Sequence, residues 1–236
     1  MSALYSKTST DSVDGKTARP NGQRRFHLIL TSLLFIVGLS FVIQGGYMQA
    51  KAYFAQFLIQ QAWQKTLDDQ QQHKPWSWAD THPVAKLKFI SAAHEASDAA
   101  DRKVNSAKSS AENPSLYVLA GASGRNLAFG PAQVLSSTAV NGKGNTVIAG
   151  HRDTHFSLLK GVKVGQLLTL QNSQGLEVLY KVINTQVVHE TDTSVMADIG
   201  EKQLTLVTCY PFNSPVSGGA LRYIVTAVPV DKVEAI

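Results

Sequence analysis

The sequence contains a single cysteine, Cys209, among its 236 residues. One cysteine excludes an internal disulfide, and it excludes a zinc site built from several cysteines. The sequence also lacks an internal repeat and a glycine-rich loop of the kind that holds phosphate groups. A lone thiol is therefore the first feature whose function must be explained.

A basic surface for nucleic acid is missing as well. The chain has 22 Lys and Arg against 17 Asp and Glu, but five of the basic and only two of the acidic residues lie within residues 1–27. The remaining 17 basic and 15 acidic residues nearly cancel. Because no basic stripe is left, we predict no nucleic-acid partner.

Residues 28–48 carry no charge, and 21 helical residues extend about 30 Å, which is enough to cross a bilayer. Arg24 and Arg25 precede this run, so the N-terminus is expected to stay in the cytoplasm and the rest to be exported. The alternative is a signal peptide cleaved near Ala50-Lys51-Ala52. The run is longer than a usual signal core and follows a long polar arm, which favours an uncleaved anchor.

These patterns predict four segments along the chain. Residues 1–27 form a disordered cytoplasmic arm, 28–48 a transmembrane anchor, 49–74 a juxtamembrane helical stalk with a linker, and 75–236 the folded domain. In the stalk helix, Phe54, Phe57, Leu58, Gln61 and Ala62 are predicted to share one face. Residues 91–114 are rich in Ala, Ser, Lys and Asp and predict a surface loop.

The folded domain is predicted to be an all-β structure. Short apolar runs separated by Gly, Asn and Pro predict strands at 84–90, 116–120, 132–140, 145–149, 167–171, 176–189, 203–209 and 221–230. About eight strands with little helix indicate either a barrel or a sandwich.

Three of these runs end or begin with a chemically useful side chain. QLTLVTCYP delivers Cys209 at the end of a strand that Pro211 terminates, NTVIAGH ends in His151, and ALRYIVTA has Arg222 near its start. A thiolate can attack a carbonyl, an imidazole can protonate a leaving amine, and a guanidinium can stabilise an oxyanion. We predict His151, Cys209 and Arg222 as catalytic residues.

Neighbouring polar residues are weaker candidates. Thr208 and Asp153 are predicted to contact substrate, although ordinary β-propensity explains Thr208 equally well and a solvated loop carboxylate is the favoured alternative for Asp153. His155 follows His151 at a helical spacing, but no carboxylate motif accompanies the pair, so no metal site is predicted. Arg125 and Arg152 are interpreted as surface charges.

Together, the stretches WSWADTHP, LAGASGRNLAFGP, NTVIAGHRDTHF and TLVTCYPF, followed by LRYIVTA, resemble the sortases, which are membrane-anchored cysteine transpeptidases. The resemblance covers about residues 75–230. These stretches are similar to those of the sortases of Gram-negative bacteria, called class GN or marine proteobacterial sortases. It implies a closed eight-stranded β-barrel with His151, Cys209 and Arg222 at one end.

The resemblance also implies the reaction and its partners. Cys209 would cleave an LPXTG-like C-terminal sorting signal of a partner protein, form a thioacyl-enzyme and pass the acyl group to an unidentified amine, with no cofactor. The barrel would lie on the periplasmic side of the inner (cytoplasmic) membrane, held by a single-pass anchor.

Other functions stay open at this stage. The same residues would serve a cysteine endopeptidase that uses water as the acceptor. An L,D-transpeptidase of cell-wall peptides is a further cysteine acyl transferase, but TLVTCYPF with a histidine 58 residues upstream fits it poorly. Free cysteines are often inert and buried, so a non-catalytic periplasmic binding domain on a membrane stalk is the alternative from another class.

Overall fold

The computed structural model describes residues 22–90, 115–216 and 218–230, and it divides into two compact units, Met1–Ala50 and Lys51–Ile236. Helix α1, Gly22–Asp69, begins in the first unit, so residues 22–27 are helical where the sequence predicted a disordered arm. Residues 25–47 are all exposed. This helix is long and apolar enough to cross a bilayer, judged by length and composition.

The second unit contains a closed β-barrel, as predicted. Its eight strands are β1 Pro83–Phe89, β2 Leu116–Ala120, β3 Ala132–Gln133, β4 Asn145–Ala149, β5 Leu167–Asn172, β6 Glu177–His189, β7 Gln203–Tyr210 and β8 Leu221–Pro229. They close in the order β1-β2-β3-β4-β7-β8-β6-β5. A short helix α2, Gly124–Leu127, and the 3₁₀ helices Ser157–Gly161 and Ser194–Met196 lie in the connections.

Alternation along the central strands determines which residues fill the barrel. Leu204 and Leu206 of β7 and Val225 and Ala227 of β8 are fully buried in one apolar cluster. They are opposed in register, Leu204 to Ala227 and Leu206 to Val225. Because successive side chains of a strand point to opposite faces, the odd-numbered residues of β7 lie on the outer face.

Strand β3 has only two residues where the sequence predicted nine, at 132–140. After Gln133 the chain turns twice, with Ser137 N donating to Val134 O and Gly142 N donating to Ala139 O. The Ser137 hydroxyl also donates to Val134 O, a local bond that competes with strand pairing. The apolar and β-branched composition of this segment therefore misled the prediction.

The last turns of α1 belong to the barrel unit. Ile59, Ala62, Trp63 and Thr66 recur at helical spacing and are each at most 3% exposed, and Ile59 packs with Leu119 and Ala132. The buried face shares Ala62 with the predicted group, whereas Phe54 is 61% and Phe57 51% exposed. The predicted boundary at 75 therefore separates residues that the structure packs together.

The predicted surface loop at 91–114 lies outside the described residues.

Candidate active site

Cys209 and Arg222 are direct neighbours across the β7–β8 pair. The two strands are antiparallel, and Cys209 is the register partner of Arg222. Both side chains belong to the face opposite to Leu204, Leu206 and Val225, so neither points into the barrel core. Opposed residues of an antiparallel pair have Cβ atoms about 4.5–5.5 Å apart. The sequence-predicted nucleophile and cation are therefore adjacent and accessible from outside the barrel.

His151 reaches the same place from the other side of β7. Strands β4 and β7 are parallel, with Ala149 opposite Val207. His151 follows Ala149 by two residues, as Cys209 follows Val207, and Gly150 N donates to Val207 O at 3.1 Å. The backbone pairing thus continues one residue beyond β4. His151 is exposed beside the half-buried Cys209, so the structure brings all three predicted catalytic residues to one end of β4, β7 and β8.

Thr208 holds the backbone before His151. Its side chain is buried, with 2% exposure, and its hydroxyl donates to Gly150 O at 2.8 Å. Gly150 has no room for a side chain, because an added Cβ would lie 2.7 Å from the fully buried ring of Phe156. Phe156 N in turn donates to His151 O at 3.0 Å. These contacts tie the Thr208 side chain to the backbone next to His151, whereas its contact with substrate stays a prediction.

Arg222 is held by an ion pair that the sequence did not reveal. Its guanidinium donates to Glu190 Oε2 at 2.7 Å and to the carbonyl oxygens of Gly219 at 2.6 Å and Leu221 at 2.9 Å. Glu190 follows β6 and is anchored by its own N–H, which donates to Ala220 O at 2.7 Å. A guanidinium has five N–H donors, so within the described part of the chain two are left for another acceptor.

Arg152 contradicts its prediction as a surface charge, because it is only 3% exposed. It forms a two-point ion pair with Asp153 and donates to three backbone carbonyls of the β7–β8 loop. The hydrogen bond from Arg152 is the main reason that the pKa of Asp153 lies below its usual value. Asp153 is thus engaged by its neighbour, with no hydrogen bond to His151 among the described residues, and its contact with substrate stays a prediction.

His155 lies in the loop beside the site and is partly buried. Burial lowers its pKa, and the nearby charge of His151 lowers it further, so His155 is mainly neutral at pH 7. The residues that the structure describes contain no group of three His, Cys, Asp or Glu side chains able to hold a metal ion. Arg125 is exposed and pairs with Asp80 at 3.3 Å, away from this loop in sequence.

Three aromatic rings pack together at the end of β7 that carries the thiol. Phe212 and Tyr223 meet edge to face with ring centroids 5.2 Å apart, and Tyr210 stacks on Tyr223 at 6.3 Å. Phe212 and Tyr223 also pack against the barrel core. Because Tyr210 directly follows Cys209, this packing fixes the strand end that carries the thiol.

Comparison with known proteins identifies the family. The model described as the Sortase domain matches residues 110–230, which is half of the chain. This chain belongs to the sortase family, as its motifs predicted.

Two relatives illustrate the range of similarity. Sortase D of Bacillus subtilis (strain 168) is 35% identical over 114 residues, which cover 48% of this chain and 57% of that protein. Sortase A of Bacillus anthracis is 28% identical over 209 residues, covering 86% of this chain and 94% of that protein. The chain thus matches little more than half the length of the first relative and nearly all of the second.

The solved structure of sortase A from Corynebacterium diphtheriae is similar in fold. It is 24% identical in sequence, has a TM-score of 0.50, and the match covers 67% of this chain and 66% of that chain. This similarity supports the barrel architecture described above.

Proposed function

We propose that this sortase is a cysteine transpeptidase whose catalytic residues are Cys209, His151 and Arg222. The Cys209 thiolate attacks the carbonyl carbon of a peptide bond in an LPXTG-like C-terminal sorting signal. The carbonyl oxygen becomes an oxyanion, the C–N bond then breaks, and the released amine takes a proton. A second amine attacks the resulting thioester, forms a new amide and frees the thiol.

One observation carries this proposal: Cys209 and Arg222 are opposed across β7 and β8, while His151 stands two residues beyond the shared rung of β4 and β7. Arg222 is close enough in register to donate its remaining N–H groups to the oxyanion. His151 is exposed, so it can give a proton to the departing amine and accept one from the incoming amine.

The anchor belongs to the same proposal. The N-terminal part of α1 crosses the inner membrane once, with the N-terminus in the cytoplasm and the barrel in the periplasm. Two features support this anchor and its orientation: the exposed apolar stretch at 28–47 and the basic Arg24 and Arg25 before it. An enzyme held in this way meets its protein substrates at the membrane surface.

The test is mass spectrometry of the detergent-solubilised chain after incubation with an LPXTG-type peptide. We expect an acyl adduct on Cys209, and an amide product once a small amine is added. Cys209→Ala should abolish both signals while its melting temperature stays close to that of the unaltered chain. Turnover by a folded Cys209→Ala chain would refute the thiol mechanism, and a free acid as the sole product would indicate an endopeptidase.

A further inference from the structure

We propose that Arg152 is a positioning residue for the proposed transpeptidation, and that it fixes His151 relative to Cys209 by joining the two chain segments that carry them. Only the kinetic part of this inference rests on the proposed function. Arg152 is adjacent in sequence to His151, and its side chain reaches the loop that follows Cys209.

The contacts of Arg152 satisfy a buried guanidinium from two directions. Its Nε and Nη2 atoms donate to the two carboxylate oxygens of Asp153 at 2.9 and 3.1 Å. Its Nη1 atom donates to Pro211 O at 2.7 Å, and Nη2 donates to Ser214 O at 3.2 Å and Val216 O at 3.1 Å. Only the planar fork of arginine can reach the carboxylate and the three carbonyls together.

These hydrogen bonds fix the backbone on both sides of His151 and Cys209. On the N-terminal side of the two residues, Gly150 is hydrogen-bonded to Val207 O and to the Thr208 hydroxyl of β7. On their C-terminal side, the Arg152 guanidinium donates a hydrogen bond to Pro211 O. His151 and Cys209 therefore lie between two sets of hydrogen bonds, and neither backbone can slide along the other without breaking one set.

The charge of Arg152 acts on the same thiol. The pKa of Arg152 lies above its usual value, first because of the hydrogen bond to Asp153, and also because of the negative charges of Asp153 and of the Cys209 thiolate. The guanidinium of Arg152 is therefore close enough to Cys209 to interact with it electrostatically. Unlike Arg222, which is 27% exposed, Arg152 has 2% side-chain exposure and is screened little by solvent.

The experiment compares Arg152→Met, Arg152→Lys and Asp153→Asn in the detergent-solubilised full chain, with Arg125→Met as the matched control. Arg125 also pairs with an aspartate, but it is 71% exposed. Three quantities are measured: the melting temperature, kcat and KM for an LPXTG-type peptide, and the rate of Cys209 alkylation by iodoacetamide from pH 5 to 10.

We expect Arg152→Met to lower kcat by about 10²-fold with KM changed less than about threefold, as for misplaced catalytic groups. Arg152→Met should also slow alkylation of Cys209 near pH 7, because it removes a cation that interacts with Cys209. Arg152→Lys keeps the charge without the fork, so its alkylation rate should be close to that of the unaltered chain while its kcat recovers only in part. Asp153→Asn should fold and lose about tenfold in kcat, since the carboxylate is 61% exposed but orients the guanidinium. Arg125→Met should match the unaltered chain in all three measurements.

Two results would overturn the inference. The first is a folded Arg152→Met chain with unchanged kcat and unchanged alkylation. The second, decisive if Arg152→Met fails to fold, is an Asp153→Asn chain whose kcat and alkylation equal those of the control. If the unaltered chain turns over no sorting-signal peptide, the proposed function fails, and alkylation alone then supports or overturns the role of Arg152.

Discussion

Replacing Thr208 by valine tests whether the backbone next to His151 needs its hydrogen bond. Valine has nearly the same shape but no hydroxyl, so the change removes the 2.8 Å bond to Gly150 O and leaves the packing in place. A hydrogen bond of this kind contributes about 1 kcal/mol net to the free energy of unfolding, and a buried carbonyl left without its donor costs about 1 kcal/mol more. We therefore expect the free energy of unfolding to fall by about 1–2 kcal/mol, which lowers the melting temperature by about 3–6 °C.

A matched control lies on the same strand. Thr205 lies four residues before Cys209 and is fully buried. Its hydroxyl donates to Asn145 Oδ1 at 2.8 Å. Thr205→Val should cost at least as much stability, because the Thr205 hydroxyl also accepts a hydrogen bond from Gln203 Nε2 at 3.1 Å. Of the two threonine hydroxyls, that of Thr208 bonds to Gly150, the residue that precedes His151, so we expect Thr208→Val and not Thr205→Val to slow peptide turnover.

The expected kinetic effect follows from the same energy. If about 1–2 kcal/mol of positioning is lost in the transition state, kcat falls by about 5–30-fold. Both variants would be followed by calorimetry and by peptide turnover in the detergent-solubilised full chain. Equal turnover by the two variants, at equal loss of stability, would show that the Thr208 bond holds the barrel together but does not place His151.

Three further predictions follow from the site and the anchor. Arg222→Lys should lower kcat by about 10²–10³-fold in peptide turnover, because lysine lacks the planar fork that pairs with Glu190 and directs further N–H groups at an oxyanion; near-normal kcat would make Arg222 structural. Gly150→Ala should cost about 1–3 kcal/mol of stability in chemical denaturation, because its Cβ meets Phe156, whereas Gly161→Ala, with open space around it, should not; equal costs would refute the clash. Protease added to spheroplasts should remove the barrel but spare a tag on Met1, and a mature N-terminus near Ala52 would refute the anchor.

Most of the barrel could be predicted because its strands bury one face. Alternation in QLTLVTCYP follows the buried Leu204 and Leu206, and the predicted runs 116–120 and 145–149 have the same bounds as β2 and β4. Alternation cannot show where hydroxyl groups and turns interrupt pairing, which is why β3 is shorter than predicted. Helical spacing alone also could not show which side of α1 is buried, since Ile59 and Trp63 make the tertiary contacts.

The polar environment of the site could not be predicted from residue types. Arginine is rarely buried, so a surface position was the reasonable prediction for Arg152. Its burial depends on three carbonyl groups of a loop about 60 residues further along the chain, and backbone groups leave no signature in a sequence. Glu190 was missed because its pairing with Arg222 requires β6 and β8 to be neighbours.

The spacing between the thiol and the histidine acquires a meaning only in the barrel. His151 and Cys209 are 58 residues apart, and so are Ala149 and Val207, which are register partners in the parallel pair β4–β7. The two residues lie on neighbouring strand ends because each stands two residues beyond the same pair of register partners. The chain between them forms β5 and β6, which pair elsewhere in the barrel, so its length does not enter the geometry of the site. What the site does require is an equal step from the shared rung on both strands, and the bonds of Gly150, Thr208 and Arg152 maintain that step.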